Sequence, residues 1–438
     1  MRLRVRPSRP LRGSVSVPGD KSIAHRWLLL AATGDDDSEI DDLPQADDVR
    51  STAACVLRLT PAQPGLEAWL RGGDGPVRIA GRGWSGLAAP AWPLDCGNSG
   101  TTLRLLAGAL AGRPFACVLD GDESLTARPM ERVAEPLRLM GAEVHTEDGR
   151  PPLQVIGGGL RGIEYRPPVP SAQVKGAILL AAAQAEGETL IDESAFGTDV
   201  APSRDHTERV LAALGAPVQA ADGRVSARAF QHPGFGGRVP GDPSAAAFLL
   251  AGASILSGSD VEVRRVGVNP SRLAFASLMG AAVGPVEEEV LGEPVGWLAH
   301  RDGAPRSIEV TDTLLPAVVD EVPALAAVAA HAEGESRFRG AAELRVKESD
   351  RLEGLAMGLR GLGGEAEVQG DDLVVGGGGL AGGEADSQAD HRLAMALAVA
   401  ALGAERESVI HDVQWAAVSF PGFVETLRAL GADVEVEG

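Results

Sequence analysis

Val17-Pro18-Gly19-Asp20-Lys21-Ser22 returns 222 residues later as Val239-Pro240-Gly241-Asp242-Pro243-Ser244. In each copy Pro sets φ and Gly is free to take φ > 0, which makes a turn, and an apolar helix follows at once. After the first copy, Lys21 to Ala32 reads as a helix that opens with Lys21, Ser22, His25 and Arg26 and continues in Leu and Ala. Cations at a helix N-terminus oppose the macrodipole. The placement makes sense if an anion sits there, where the free N–H groups of the helix start would add to Lys21 and Arg26. The plainer reading is a solvated helix start with incidental basic residues.

Working outward, the same unit recurs along the chain. Apolar, Ala- and Leu-rich helices are expected at Lys21 to Ala32, Asn98 to Ala111, Ser171 to Ala183, Pro243 to Leu256, Asp320 to Ala330 and Asp390 to Leu402, with a period of about 74 residues. A second, amphipathic helix follows in each unit. It usually ends in a Gly stop, as in Leu139-Met140-Gly141-Ala142 and Leu430-Gly431-Ala432, where Gly is the expected C′ residue. The first unit is the weak one, with Val49 to Leu59 as its second helix and no Gly stop. Short β-like runs such as Phe115 to Leu119 and Val261 to Val266 lie between the helices. The unit is strand, helix, strand, helix, strand, strand, give or take a strand: a duplicated α/β module longer than solenoid repeats. Two matching turns three units apart predict two chain crossings between two domains. Residues 20–238 would form one domain, and 239–438 with 1–17 folded back the other, with a hinge at 17–20 and 238–242.

A chain of 438 residues is long enough for two domains, and its mean hydropathy of +0.02 is that of a globular protein. A net charge of −21 excludes nucleic acid as the expected partner, since phosphate backbones are bound by basic faces. Cys55, Cys96 and Cys117 have no metal-ligand spacing and cannot build a disulfide framework, so they read as small buried hydrophobes in a reducing cytoplasm. No transmembrane run is evident, and the Arg-rich N-terminus alternates like a strand without the apolar core of a signal peptide. Neither a membrane nor a metal is expected.

The charged residues gather at helix starts. Asn98-Ser99-Gly100-Thr101-Thr102-Leu103-Arg104 suits either an anion cradle or a cluster of N-caps. Ser203-Arg204-Asp205-His206-Thr207-Glu208 reads as a capping box in which only Arg204 lacks a role. Asp320-Glu321 falls inside the apolar run Leu314 to Ala330, a setting that raises a carboxyl toward the general acid/base range, unless it is an ordinary first-turn carboxylate. Arg345-Val346-Lys347-Glu348-Ser349-Asp350-Arg351 would ordinarily be a solvated, salt-bridged face. Together Lys21, Arg26, Arg104, Arg128, Arg204, Lys347, Arg351 and Arg392 place eight cations near helix starts of an acidic chain. Eight such positions imply a cleft with a concentrated positive field and multiply charged anionic substrates.

At these residues the sequence resembles the enolpyruvyl transferase family over its whole length. The motifs in order are Pro18 to Arg26, Gly97-Asn98-Ser99-Gly100-Thr101, Arg128-Pro129, Ser171-Ala172-Gln173, Ser203 to Glu208, Asp320-Glu321-Val322-Pro323, Val346 to Arg351, Asp390-His391-Arg392 and Phe420-Pro421. The resemblance implies an α/β fold of two domains, each of three βαβαββ units, with the active site in the cleft between them. It implies transfer of the enolpyruvyl group of phosphoenolpyruvate to the 5-hydroxyl of 3-phosphoshikimate, on the way to the aromatic amino acids, without a cofactor, in a cytoplasmic monomer. Carried over residue by residue, Lys21, Ser22, Arg26, Ser171, Ala172, Gln173, Ser203, Arg204, Asp320 and Lys347 would bind 3-phosphoshikimate. Lys21, Asn98, Gly100, Arg128, Gln173, Arg351 and Arg392 would bind phosphoenolpyruvate. Asp320, Glu348 and Lys21 would be catalytic.

The sequence departs from the family pattern at Ala24 and Ala172, each in place of a Ser, and at Val418, where many members place a Lys on phosphoenolpyruvate. Two other readings compete. The UDP-N-acetylglucosamine branch of the family carries Lys-Asn at the opening helix and a catalytic Cys in a mobile loop, whereas here Ser22 follows Lys21 and no Cys is so placed. A catalytically silent paralogue that binds a phosphorylated metabolite is suggested by Val418, but pure binding would need neither Asp320 nor Glu348.

Overall fold

The computed structural model of the chain describes residues 1–197, 203–301 and 303–437. All six apolar helices are present, at Lys21–Thr33, Gly100–Leu110, Ala172–Ala182, Pro243–Ile255, Val322–Ala329 and His391–Ala401. A helix that is apolar all round has to be buried on every side. These are, three in each of two separate hydrophobic cores. The five expected stops, Gly141, Gly215, Gly280, Gly363 and Gly431, all have positive φ. A side chain there would be strained, which is why the repeat ends its second helix on Gly.

Six small sheets surround the helices. Three follow the full strand-helix-strand-helix-strand-strand order within one stretch of chain. One holds Leu94–Asp95, Ala116–Asp120, Glu143–Glu147 and Arg150–Ile156; the others begin at Glu164–Tyr165 and Glu309–Val310. The remaining three borrow a strand from a distant part of the sequence. Ser38–Asp41 takes Gly236–Arg238 as its parallel neighbour, and Asp260–Gly267 takes Arg12–Ser16. Arg2–Val5 lies antiparallel between Ser408–His411 and Val434–Glu437. The exchange of first strands follows from the twin turns, because each crossing leaves a strand in one half and starts a helix in the other.

The two crossings bind each other. Asp20 N–H donates to Pro240 O at 2.7 Å, Asp242 N–H donates to Pro18 O at 2.9 Å, and Gly19 and Gly241 form an antiparallel bridge. Gly19 is required by space, since a Cβ there would lie 2.5 Å from Asp42 O.

The helix expected from Asp320 to Ala330 starts two residues later, at Val322, and a short helix Leu315–Val318 precedes it, leaving Asp320 and Glu321 at the joint. Pro316 and Pro323 are each in the first turn of their helix, where a missing N–H costs nothing but an incoming helix cannot continue.

Helices Gly100–Leu110 and Ala172–Ala182 touch backbone to backbone: a Cβ on Gly108 would sit 2.1 Å from Ala177 O. Gly108→Ala is expected to force the pair apart and cost about 1–3 kcal/mol as overpacking does. Thermal and urea unfolding of the variant test this; an unchanged midpoint would show that the helices separate freely.

Candidate active site

Most of the six helix starts supply their own caps. Asp20 accepts from Ser22 N–H and Ile23 N–H, Ser99 from Thr102 N–H, Ser171 from Val174 N–H, Asp242 from Ser244 N–H, and Asp390 from Arg392 N–H and Leu393 N–H. This corrects the expectation that the N–H groups beside Lys21 and Arg26 stand free for an anion. Asp20 already takes two of them, so side chains must do most of the anion binding.

Those side chains converge. One solvent-open cleft is lined by all eight cations singled out in the sequence, with Arg132 as a ninth. Every residue assigned above to substrate binding or catalysis lines the same cleft, from Lys21, Ser22 and Arg26 through Asn98, Gly100, Arg128, Ser171, Ala172, Gln173, Ser203 and Arg204 to Asp320, Lys347, Glu348, Arg351 and Arg392.

Each half contributes one wall. On the first, Lys21 Nζ pairs with Asp48 at 2.8 Å. Arg26 is 3% exposed and donates to Ser22 O and Thr207 Oγ1, both at 2.7 Å. Arg104 donates to Gln173 Oε1 at 2.6 Å, while Gln173 Nε2 donates to Thr101 Oγ1 at 2.8 Å. The arginine thereby fixes which end of the Gln173 amide is the donor. Asn98 accepts from Arg128. A Cβ on Gly100 would lie 2.6 Å from Arg104 Nη1, so a side chain there would push that guanidinium from its present place. Ser99 caps the same start, accepting from Thr102 N–H.

On the second wall, Arg351 is 1% exposed and pairs with Asp390 at 2.7 Å and with Glu348. Lys347 pairs with Glu343 at 2.9 Å, and Arg392 donates to Asp320 O at 2.7 Å. Contacts between the walls include Arg204 Nη1 to Asp320 Oδ2 at 2.8 Å and Arg128 Nη1 to Glu348 Oε1 at 4.0 Å.

The titrations follow from this crowding. Burial works to raise the Asp320 carboxyl, but Arg392 and Arg204, with Lys347 and Arg351, overcome it and hold the group well below the usual carboxylate range. The expected upward shift is thus reversed, because the apolar run carrying Asp320 abuts four cations that lie far away in sequence. Burial also works to raise Glu348, which is half-buried, yet Arg351, His391, Arg128 and Lys21 hold it well below the ordinary value. Burial lowers Arg104 to about 9, with Arg132 and Arg128 adding repulsion. Burial also drives His25 and His391 down to about 3 each, with Lys21 pushing both the same way. Their unperturbed value is 6.5, so both rings are neutral near neutral pH.

Three local expectations change. The capping box at Ser203 to Glu208 does not form: Ser203 Oγ donates to Glu193, and Asp205 receives Arg209 and Asn269 instead of a helix N–H. The Lys347 to Arg351 stretch is one wall of the cleft rather than a solvated face. Val418 ends the 3-10 turn Val413–Val418, half-buried, and does not line the cleft. Sequence reasoning also missed Arg132, Asp48 and Glu343, which line the cleft. Arg132 and Glu343 read as ordinary charged surface. Asp48 had only a helix-start position, which the dipole explains equally well. Among the described residues, no group of three or more His, Cys, Asp or Glu could hold a metal ion, and no helix is long and apolar enough to cross a membrane. The three cysteines are free and buried.

The family model described as EPSP synthase (3-phosphoshikimate 1-carboxyvinyltransferase) matches residues 5–427. A protein of Halorhodospira halophila named 3-phosphoshikimate 1-carboxyvinyltransferase is 48% identical over 443 residues, covering 99% of this chain and 97% of its own. One of the same name from Methylococcus capsulatus is 45% identical over 443 residues, covering 98% and 97%. The solved structure of EPSP synthase from Acinetobacter baumannii superposes with a TM-score of 0.84 at 37% identity, covering 100% of both chains.

The two neutral, buried histidines make stability depend on pH. Their folded values lie below the unfolded one, so the unfolded chain binds more protons as pH falls. Stability is full above about pH 6.5 and declines from there toward pH 3, by on the order of 1 kcal/mol per pH unit for each ring. Urea midpoints of the ligand-free protein should fall between pH 7 and pH 5, and His25→Gln should make that fall shallower. A midpoint that holds steady over this range would show that the rings take up protons without unfolding.

Proposed function

The chain belongs to the EPSP synthase (3-phosphoshikimate 1-carboxyvinyltransferase) family, and on that premise we propose how its cleft carries out the reaction. The enzyme transfers the enolpyruvyl group of phosphoenolpyruvate to the 5-hydroxyl of 3-phosphoshikimate and releases phosphate. The observation that carries the residue assignment is that Asp320 and Glu348, the two carboxylates the chemistry needs, are each ringed by cations from both walls of one cleft.

Two polyanions have to be held side by side against their repulsion, which calls for surrounding Arg and Lys in a site that excludes water. Ser22 and Arg26 bind the shikimate carboxylate. Ser171, Ala172, Gln173, Ser203, Arg204 and Lys347 bind the 3-phosphate. Asn98, Gly100, Arg128, Gln173, Arg351 and Arg392 take phosphoenolpyruvate, and Lys21 bridges the two substrates. In the addition step the 5-oxygen bonds to C2 of phosphoenolpyruvate, Asp320 takes the hydroxyl proton, and Glu348, protonated once phosphoenolpyruvate has taken Arg351 and Arg128 from it, delivers its proton to C3. In the elimination step the C2–O bond to phosphate breaks, Lys21 assists protonation of the leaving group, and Glu348 removes a proton from the new methyl group.

The low affinity of Asp320 for protons suits this order of events. Without substrate it is one of the few anions among nine cations. Substrate phosphate on Arg204 and Lys347, and phosphoenolpyruvate on Arg351 and Arg392, neutralise the charges that hold it down, and burial then dominates. The base gains strength only when both substrates are bound.

The domains are residues 20–238 and residues 1–17 with 239–438, hinged at 17–20 and 238–242; closure brings Arg128 and Lys21 onto the same ligand as Arg351 and Arg392. The site residues all come from one chain, in keeping with a monomer, and the working compartment is the cytoplasm.

Purified protein given phosphoenolpyruvate should release phosphate with 3-phosphoshikimate and not with UDP-N-acetylglucosamine; release with the latter only would overturn the substrate. Asp320→Asn should lower kcat by about 10²- to 10⁴-fold, as loss of a general base does, while 3-phosphoshikimate still binds. Full activity in that variant would remove Asp320 from the role of base.

A further inference from the structure

One buried arginine outside the cleft joins the two crossings to it. Arg272 ends the 3-10 turn Pro270–Arg272 after strand Asp260–Gly267 and is 2% exposed. Its Nη1 donates to Asp20 Oδ2 at 2.7 Å and to His206 Nε2 at 3.2 Å. Its Nη2 donates to Ser244 Oγ at 2.9 Å and Asp242 Oδ1 at 3.2 Å, and lies 3.9 Å from Glu321 Oε1. Asp20 and Asp242 are the caps of the two helices that leave the crossings. Glu321 directly follows Asp320, accepts from Ser244 Oγ, and lies 3.6 Å from Arg204.

The geometry points to Arg272 as a positioning residue for the enolpyruvyl transfer: it fixes both crossings on one guanidinium and, through Glu321, sets where Asp320 and Arg204 meet. Three buried carboxylates reached from two directions need a planar fork with separate donors, and guanidinium provides one where a single ammonium cannot. His206, at the start of the first-half helix His206–Ala213, carries the link into that half, and its other nitrogen, Nδ1, pairs with Glu293 of the second half at 2.7 Å. A group in contact with both crossings at once holds the relative setting of the two walls. Phosphoenolpyruvate, whose ligands come from both walls, should sense that setting most. 3-Phosphoshikimate, held mostly by the first wall, should sense it least.

The inference rests on the reaction proposed above, and the test separates the two. If the unaltered full-length protein releases no phosphate from phosphoenolpyruvate and 3-phosphoshikimate, the reaction is wrong. With that activity present, Arg272→Lys is expected to raise KM for phosphoenolpyruvate by tenfold or more and to leave the dissociation constant for 3-phosphoshikimate within about threefold. Adding Glu321→Gln should restore part of the loss, because one uncompensated carboxylate is removed. A lower melting temperature with both constants unchanged would show a purely structural role and overturn the inference, as would independent, multiplying losses in the double variant. If Arg272→Lys does not fold, Asp242→Asn carries the test with the same expected split between the two substrates.

Discussion

The architecture depends on two pieces of chain that cross between the halves at the same place and hydrogen-bond to each other. Once Asp20 N–H has paired with Pro240 O and Asp242 N–H with Pro18 O, the opening helices of both halves leave from a common point. Their caps share Arg272, and the borrowed strands Arg12–Ser16 and Gly236–Arg238 have to be exchanged. The halves can pivot about these crossings, but sliding one core past the other would break backbone bonds that lie among residues too buried for water to replace the lost partners.

The cleft shows how an acidic chain manages a concentration of positive charge. Nine cations face one space, and each is held in its own way. Lys21, Lys347 and Arg351 rest on carboxylates, Arg26 on a hydroxyl and backbone carbonyls, and Arg104 on the amide of Gln173. Neutral partners orient a guanidinium without cancelling its charge. Those cations are the most available to a ligand, whereas the paired ones require a substrate anion to compete with a carboxylate already in place.

Much of this was legible in the sequence because the repeat is written in strong signals. Six helices apolar on every face, five Gly stops and a duplicated turn are each imposed by packing or by backbone geometry. The cations at helix starts were equally visible, since basic residues there have no local reason to exist. What could not be read was whatever depends on neighbours distant in sequence. The depressed carboxyl of Asp320 is set by Arg204 and Arg392, and the loss of the Ser203 capping box by Glu193 and Asn269. The start of that helix at Val322 rather than Asp320 was signalled by Pro323, which the apolar run around it obscured.

The path of the ends has a consequence for how the molecule is made. Arg2–Val5 lies between Ser408–His411 and Val434–Glu437, so a strand early in the sequence is completed only by two strands about 400 residues later. The half that contains Gly236–Arg238 has all its strands once residue 238 is available, while the other must wait for the whole chain. Vectorial synthesis therefore orders the two halves in time. It also leaves Arg2 paired with Glu437, so that a short linker could join these two positions and the chain be opened elsewhere without removing a strand from any sheet.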